Sequence, residues 1–341
     1  MNFFYFLLFL AFLNEINGFS KKLNIPYKKD FTSFKKFTNN YEKLYKSSEQ
    51  LDKGYSNFKK NIDLINNHNK NTTNSFSLRL NQFADEDPVK LKKNLFSFEI
   101  ERQEPSLILN SKNNDNNIKS FTNPYNKIPN TIDYRKKNAV TPVKNQGKCG
   151  SCWAFSTVGA LESKYAIKHG NLKQFSEQHL VDCSISNFGC NGGLMHKAFD
   201  DILWNRGLPL EKDYPYTAKV GTCNKNKSEF KNLDLLGYQF VLSHSSSSLQ
   251  NALQYNPVCI ALAGDPMKFL FYGEGIFDCT DCSNTNNHAV LLVGYDISGD
   301  IPYWIIKNSW GEEWGEDGYI RIKIQDGEGI LGMNQYGLYP Y

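Results

Sequence analysis

Cys152 lies in the run Gln146-Gly147-Lys148-Cys149-Gly150-Ser151-Cys152-Trp153-Ala154-Phe155-Ser156, where two glycines permit tight turns and the following apolar residues suit a helix. A thiol at a helix N-terminus meets unpaired backbone N–H groups and the positive end of the macrodipole. Both favour the nucleophilic thiolate. A lone cysteine is ordinarily a small buried hydrophobe, so chemistry requires partners. His288 opens the run His288-Ala289-Val290-Leu291-Leu292-Val293-Gly294-Tyr295, which reads as a buried strand, and Asn308 follows Ile301-Pro302-Tyr303-Trp304-Ile305-Ile306, a second strand. Side chains at strand ends can be held rigidly beside a helix N-terminus, which would unite a nucleophile, a general base and an orienting amide. Of the other histidines, His68 in an Asn-rich helical stretch, His169 beside Gly170 and His244 in a serine run read as solvated. His179 and His196, with apolar neighbours in helix-like segments, read as packing or surface residues.

Cys149-Gly150-Ser151-Cys152-Trp153 resembles the local signature of the papain and cathepsin cysteine proteases, and His288 and Asn308 stand about as far downstream as that signature expects. The resemblance implies a thiolate–imidazolium pair of Cys152 and His288, with Asn308 orienting the imidazole by accepting from its other ring nitrogen. It implies an oxyanion hole made by the Gln146 side-chain amide and the Cys152 backbone N–H, and an aromatic cover from Trp310 and Trp314. It also places Leu194, Met195, Ala261, Asn286, Ala289 and Tyr336 around the pocket for the substrate residue two before the cut. An apolar side chain is expected there, Leu or Val before Phe, because the Tyr336 ring would shorten the floor.

These residues need a scaffold of two kinds. Residues 150–220 read as helical, with Ser176 as a helix cap, and residues 235–325 as short strands punctuated by Gly and Asn. The fold class expected is α+β: a papain-like two-lobed peptidase, helical lobe plus β-barrel-like lobe, preceded by a small helical propeptide domain. Four segments are expected. Residues 1–18 form a signal peptide, since Phe3 to Leu13 are almost wholly apolar yet too few to span a bilayer, although only Asn2 stands where basic residues are usual. Residues 31–87 form an inhibitory propeptide domain, 88–127 a linker removed on maturation, and 128–341 the peptidase domain.

The propeptide assignment rests on the helical spacing of Phe58, Asn61, Ile65 and Asn69, followed by a strand-like stretch from Phe76 to Leu80 and by Asn81-x-Phe83-x-Asp85. Both patterns are similar to the propeptide of cathepsin L-like enzymes, with three departures. An acid and a base expected upstream fall on Gln50 and Gly54, and a glycine expected before Asn81 is Arg79. An interior glycine would weaken the helix by ~1 kcal/mol. Asn113, Asn114, Asn116 and Asn117 mark the segment from Asn110 to Asn126 as a cleavable, disordered linker, so the mature N-terminus is expected shortly before Ile128. Residues 1–128 hold 20 Lys and Arg against 13 Asp and Glu, and the remainder 19 against 22. Opposite signs favour docking of a basic propeptide onto an acidic peptidase, a bond that acid would loosen by protonating peptidase carboxylates.

All eight cysteines follow residue 148, which points to an oxidising, secretory route. The resemblance implies disulfides Cys149–Cys190 and Cys183–Cys223 with Cys152 free. It also implies a bridge from near 279 or 282 to the final segment, but that last position is Leu331. A local Cys279–Cys282 bond and a buried Cys259 thiol are the expectation there. Asn71-Thr72-Thr73 and Asn226-Lys227-Ser228 are formal glycan acceptors at Asn71 and Asn226.

No cofactor or metal is expected. The two C-x-x-C pairs, Cys149/Cys152 and Cys279/Cys282, lie too far apart for a zinc ribbon. The basic residues are dispersed and no nucleic-acid motif is present. The partners expected are protein or peptide substrates and the chain's own propeptide as inhibitor. The peptidase itself should be monomeric and need no membrane once the signal is removed, and should act in a lysosome-like acidic compartment or outside the cell. The rival reading is a catalytically inactive homologue that binds rather than cuts, against which every expected catalytic position is filled.

Overall fold

The computed structural model describes residues 28–96, 128–224, 231 and 233–341. The signal peptide, the asparagine-rich stretch from 110 to 126 and the Asn226 acceptor lie outside the described residues.

Among the described residues, the N-terminal body is three helices and one strand. Helix α1 (Lys28–Asn40) packs on α2 (Ser48–Asn69). Their contact is aromatic, with Phe34 and Phe37 meeting Phe58 at ring distances of 5.1 and 5.0 Å. Ser47 caps α2 by accepting from the Gln50 N–H, and the Gln50 side chain reaches back to the Lys46 N–H, so Gln50 works as a cap. Gly54 is buried in α2, and a β-carbon there would stand 2.7 Å from the Tyr45 ring. The glycine gives up helix stability so that Tyr45 can lie against the helix. The asparagines of the motif are structural: Asn61 donates to Ala84 O, and Asn69 both donates to Leu78 O and accepts from Leu78 N–H. Asn69 clamps α2 to β1 (Phe76–Leu78), which ends two residues before the strand-like stretch does, and Asn61 ties α2 to the turn that follows. His68, read above as solvated, is half-buried on the Phe76 ring with Nε2 3.0 Å from Phe76 O.

Residues read above as the start of a linker instead form α3 (Pro88–Leu95), with Asp87 as N-cap and Pro88 at the first helical position. Leu91, Leu95 and Phe96 are buried, so apolar burial, invisible in local composition, extends the ordered propeptide to Phe96.

The peptidase part has the two halves expected. The helical half contains α4 (Cys152–His169), α5 (Glu177–Cys183) and α6 (Met195–Asn205). Helix α4 is buried on nearly all sides through Ser163, as a central core helix must be, and Gly170 ends it in the left-handed conformation. The β half uses β2 (Thr131–Asp133), β3 (Tyr238–Phe240), β4 (Val258–Leu262), β5 (Tyr272–Phe277), β6 (His288–Asp296), β7 (Tyr303–Lys307), β8 (Tyr319–Lys323) and β9 (Gly337–Pro340), with the short helices α7 (Ser246–Ala252) and α8 (Met267–Leu270). The strand order is β1-β5-β8-β7-β6-β4-β9-β3, with β2 also on β6. All described pairings are antiparallel except β5 with β8.

Eight of the nine β6 residues are buried, because α4 covers one face of the strand and the barrel core the other. Its register with β7 shifts at Val293, and Gly294 beside it pairs with Asp133 of β2, where a β-carbon would lie 2.1 Å from Ile132 O. One apolar core joins the barrel to the propeptide, Phe34 and Phe58 belonging to the same cluster as Phe269, Phe277 and Trp310. A second packs α4 to α6 against β4, β6 and β7. Among the described residues, no helix is long and apolar enough to cross a membrane.

Candidate active site

The turn before α4 carries no side-chain cap at Ser151, so its first N–H groups are directed at the Cys152 sulfur instead. The N–H groups of Cys152 and Trp153 reach that sulfur, and so does the N–H of Ala289, the residue after His288. Through Ala289 the start of β6 is therefore held beside the start of α4. His288 Nε2 lies 2.8 Å from Asn308 Oδ1, and the same oxygen accepts from the Ser309 N–H at 2.8 Å. An oxygen already accepting from a backbone donor requires Nε2 to be the protonated nitrogen. Nδ1 has no hydrogen-bond partner among the described residues, which leaves it as the acceptor.

Trp310 stacks on the imidazole at 4.7 Å and 27°, and Trp314 meets Trp310 edge-on at 5.3 Å. The loop after β4 passes close behind His288. A β-carbon on Gly264 would stand 2.7 Å from His288 Cβ, so only glycine leaves the room.

Gln146 is fully buried and its amide is locked from both ends. Ser309 Oγ donates to its Oε1 at 2.7 Å, and its Nε2 donates to Cys149 O at 2.9 Å, which leaves a second N–H on that nitrogen. Its backbone is tied to Ser309 O and to the Tyr216 hydroxyl. Ser309 and Tyr216 escaped the sequence reading. Ser309 had a signal, its place directly after Asn308, whereas Tyr216 had none because it arrives from a distant loop.

Burial pushes the Cys152 thiol up to about 11 against the pull of the three N–H donors, and burial pushes the His288 imidazole down to about 4, opposed by Asn308. Burial thus favours the neutral form of each group beneath the cover. The cover is the propeptide: Phe96 stands edge-on to His288 at 5.7 Å and to Trp310 at 5.9 Å, and Phe83 meets Trp310 at 5.2 Å. Polar bonds hold it down. Asn81 donates to Leu270 O, Gln82 to Trp310 O and Arg79 to Gly315 O, while β1 adds to β5 with Phe76 opposite Gly275. Arg79, one of the departures noted above, is thus a docking residue.

Interface charge runs both ways, which corrects the expectation of a basic propeptide on an acidic peptidase. Lys92 of the propeptide pairs with Asp265, but Glu86 of the propeptide pairs with Lys148. Net charge averages over each module and says nothing about which residues meet.

Of the six residues expected around a substrate pocket, Met195, Ala261 and Ala289 lie in the second core, and Leu194 and Tyr336 pack against it. Ala261 and Ala289 are paired across β4 and β6, and the Ala261 N–H donates to Tyr336 O. Asn286 lies against Gly332, and neither end of its buried amide has a partner among the described residues. Disulfides join Cys149 to Cys190, Cys183 to Cys223 and Cys279 to Cys282, leaving Cys152 and Cys259 as buried thiols. Leu331 is wholly buried where a third long bridge was implied. Asn71 is exposed, its Oδ1 accepting from the Thr73 N–H and hydroxyl.

Comparison with known proteins places this geometry. The profile described as papain family cysteine protease matches residues 128–341, and that described as cathepsin propeptide inhibitor domain (I29) matches residues 34–89. Cysteine protease XCP2 of Arabidopsis thaliana is 39% identical over 330 residues, covering 96% of this chain and 90% of that protein. Viral cathepsin of the Cydia pomonella granulosis virus is 39% identical over 306 residues, covering 89% of each. Among solved structures, digestive procathepsin L 3 of the Tenebrio molitor larval midgut superimposes with a TM-score of 0.78 at 33% identity, over 92% of this chain and 99% of that one. A recombinant stem bromelain precursor gives 0.78 at 33% identity, over 91% and 98%.

Proposed function

The chain belongs to the papain family of cysteine proteases and is made as a proenzyme with its own cathepsin-type inhibitor domain, and from this we propose that Cys152, His288, Asn308 and Gln146 form its peptide-cleaving machinery. Once the propeptide has left, His288 Nδ1 takes the Cys152 proton and the sulfur attacks the scissile carbonyl carbon. The carbonyl oxygen becomes an oxyanion, held by the Cys152 N–H and the free N–H of the Gln146 amide. Collapse breaks the C–N bond, the imidazolium protonates the departing amine, and a thioester remains on Cys152. Water, deprotonated by His288, then releases the acid and regenerates the thiol. Asn308 keeps the proton on Nε2 throughout, so that Nδ1 always faces the reaction. The supporting observation is the shared Asn308 oxygen, which commits the imidazole to one tautomer.

The remaining readings belong to the same proposal. Residues 1–18 direct the chain into the secretory pathway, and the peptidase works as a monomer in an acidic lysosome-like compartment or outside the cell. Maturation cuts between Phe96 and Ile128, a narrower window than residues 88–127 because α3 is part of the inhibitor. Asn71, exposed with its amide already in a turn, and Asn226 are the glycan sites. The pocket formed by Leu194, Met195, Ala261, Ala289 and Tyr336, with Asn286 at its edge, selects an apolar residue two before the cut.

The deciding experiment assays acid-activated enzyme on peptides carrying Leu, Phe or Arg at that position, with and without prior treatment with a thiol-directed epoxide. Stoichiometric labelling of Cys152 with loss of cleavage is expected, and Leu should be the best substrate. An unlabelled Cys152 would favour the inactive binding homologue, and Arg outperforming Leu would refute the pocket.

A further inference from the structure

Asn71 stands in the turn between α2 and β1, and that turn is bonded directly to the peptidase: the Ile276 N–H of β5 donates to Ser75 O at 2.8 Å. Beside the turn lies an open groove of about 420 Å³ with one wall on each module. Asn71, Thr72 and Asn74 belong to its propeptide wall, and Glu274, Gly275 and Arg321 to its peptidase wall. The Asn71 amide is fixed at both ends. Its Oδ1 accepts from the Thr73 N–H and hydroxyl, and its Nδ2 donates to Asn74 Oδ1 at 3.3 Å, which leaves one hydrogen on a nitrogen of the groove wall. From this juxtaposition we propose that a glycan on Asn71 starts in the groove and that its first sugar bonds the peptidase through the Glu274 carboxylate, so that glycosylation of the propeptide strengthens its inhibitory docking. The inference rests on the reading of Asn71 as a glycan site and goes beyond it, because it gives the glycan a seat and a regulatory effect.

The modification takes its sugar from a lipid-diphosphate-linked oligosaccharide: the bond from Nδ2 to the sugar C1 forms, the bond from C1 to the diphosphate breaks, and the displaced Nδ2 proton leaves with the lipid diphosphate. The remaining Nδ2 hydrogen keeps its bond to Asn74. Asn74 Nδ2 and the Asn71 N–H both donate to His68 O, which ties the turn to the end of α2. The first sugar therefore leaves from a fixed atom, and little further ordering is needed to seat it. Across the groove the two charged side chains differ. Arg321 is committed, its guanidinium donating to Glu316 and lying over the Tyr303 ring at 5.3 Å. Glu274 is exposed and has no ion pair among the described residues, so its carboxylate is the acceptor left for the donors of a sugar. The groove is already open in the docked form and lies within the size range of small-ligand sites, so the sugar enters without parting β1 from β5.

The test expresses the full-length precursor in a eukaryotic secretory host, measures the Asn71 glycan by mass, and times conversion at pH 5. Three forms are compared: untreated precursor, precursor trimmed to the first sugar by an endoglycosidase, and Thr73→Val, which loses the acceptor sequence but keeps Asn71. Trimmed precursor should convert at the parent rate, and Thr73→Val about fivefold faster, the scale of losing one partly exposed hydrogen bond to a charged group. Glu274→Ala should accelerate the glycosylated precursor to the same extent and add nothing to Thr73→Val, because the two changes remove opposite ends of one contact. Parent and Thr73→Val refolded from a bacterial host, both without glycan, should convert alike, which separates the sugar from the lost Thr73 hydroxyl. Faster conversion on trimming alone, additive effects of Glu274→Ala and Thr73→Val, equal rates for the glycosylated parent and Thr73→Val, or a difference between the two bacterial forms would overturn the inference and leave Asn71 a glycan site. A parent mass without sugar at Asn71 would sink the glycan reading, and the inference with it.

Discussion

Glu86 of the propeptide and Lys148 of the loop that leads into Cys149 form an ion pair of 2.9 Å, beside the covered cleft. Burial raises the Glu86 carboxyl, but the hydrogen bond and charge of Lys148, with Lys43 and Lys90, outweigh burial and hold it below the ordinary value of 4.5. A carboxylate depressed in the docked form strengthens docking above its undocked pKa and loses that contribution as pH falls through the lower docked value. The pair is thus an acid-sensitive tether whose acidic member lies on the propeptide.

Glu86→Gln mimics the protonated tether at every pH. Precursor carrying it should convert several-fold faster than the parent at pH 6 and show a flatter acid dependence; for a partly exposed pair the effect corresponds to no more than about 1 kcal/mol. Timed gel analysis of conversion across pH 3.5–7 checks this, and unchanged rates at pH 6 would remove the tether from the account.

Cys152→Ala should abolish turnover, and His288→Ala should lower kcat/KM by about 10⁴-fold, the upper range for a general acid–base group. Asn308→Ala should cost less, about 10²-fold, because Trp310 still stacks on the ring and only orientation is lost. Near-normal kinetics in either of the first two, measured with active-site-titrated enzyme, would refute the assignment.

Phe96→Ala in the precursor should expose the dormant pair. With the lid residue gone, the Cys152 thiol falls from about 11 toward its ordinary range and His288 rises from about 4, so neutral-pH alkylation by iodoacetamide should accelerate at least tenfold. An alkylation profile across pH 5–9 that matches the parent precursor would show that Phe96 does not govern the pair.

The three disulfides should differ in weight. Cys149–Cys190 spans 41 residues and Cys279–Cys282 spans 3, so on the chain-entropy account the short bridge contributes about 2 kcal/mol less. Cys279→Ser with Cys282→Ser should shift the denaturation midpoint far less than Cys149→Ser with Cys190→Ser. Comparable shifts would mean that the short bridge secures the loop to His288 by more than chain entropy.

What the amino-acid sequence determines alone is local or depends on spacing along the chain. The turn before Cys152, the buried run from His288 and the spacing of Phe58, Asn61, Ile65 and Asn69 could be read directly, since helix and strand periodicity and turn chemistry involve only near neighbours. Tertiary structure decided the rest. Pro88 to Phe96 looked like linker because their order comes from apolar burial against the cleft, and Gly54 looked like a weakness because Tyr45, which needs its missing side chain, is a separate turn of chain. The tautomer of His288 depends on an oxygen shared between Asn308 and the Ser309 N–H, and the neutral state of Cys152 on a cover that begins more than fifty residues earlier in the chain. Such contacts are set by hydrogen-bond direction and by exclusion of water, and both arise only when distant segments pack together.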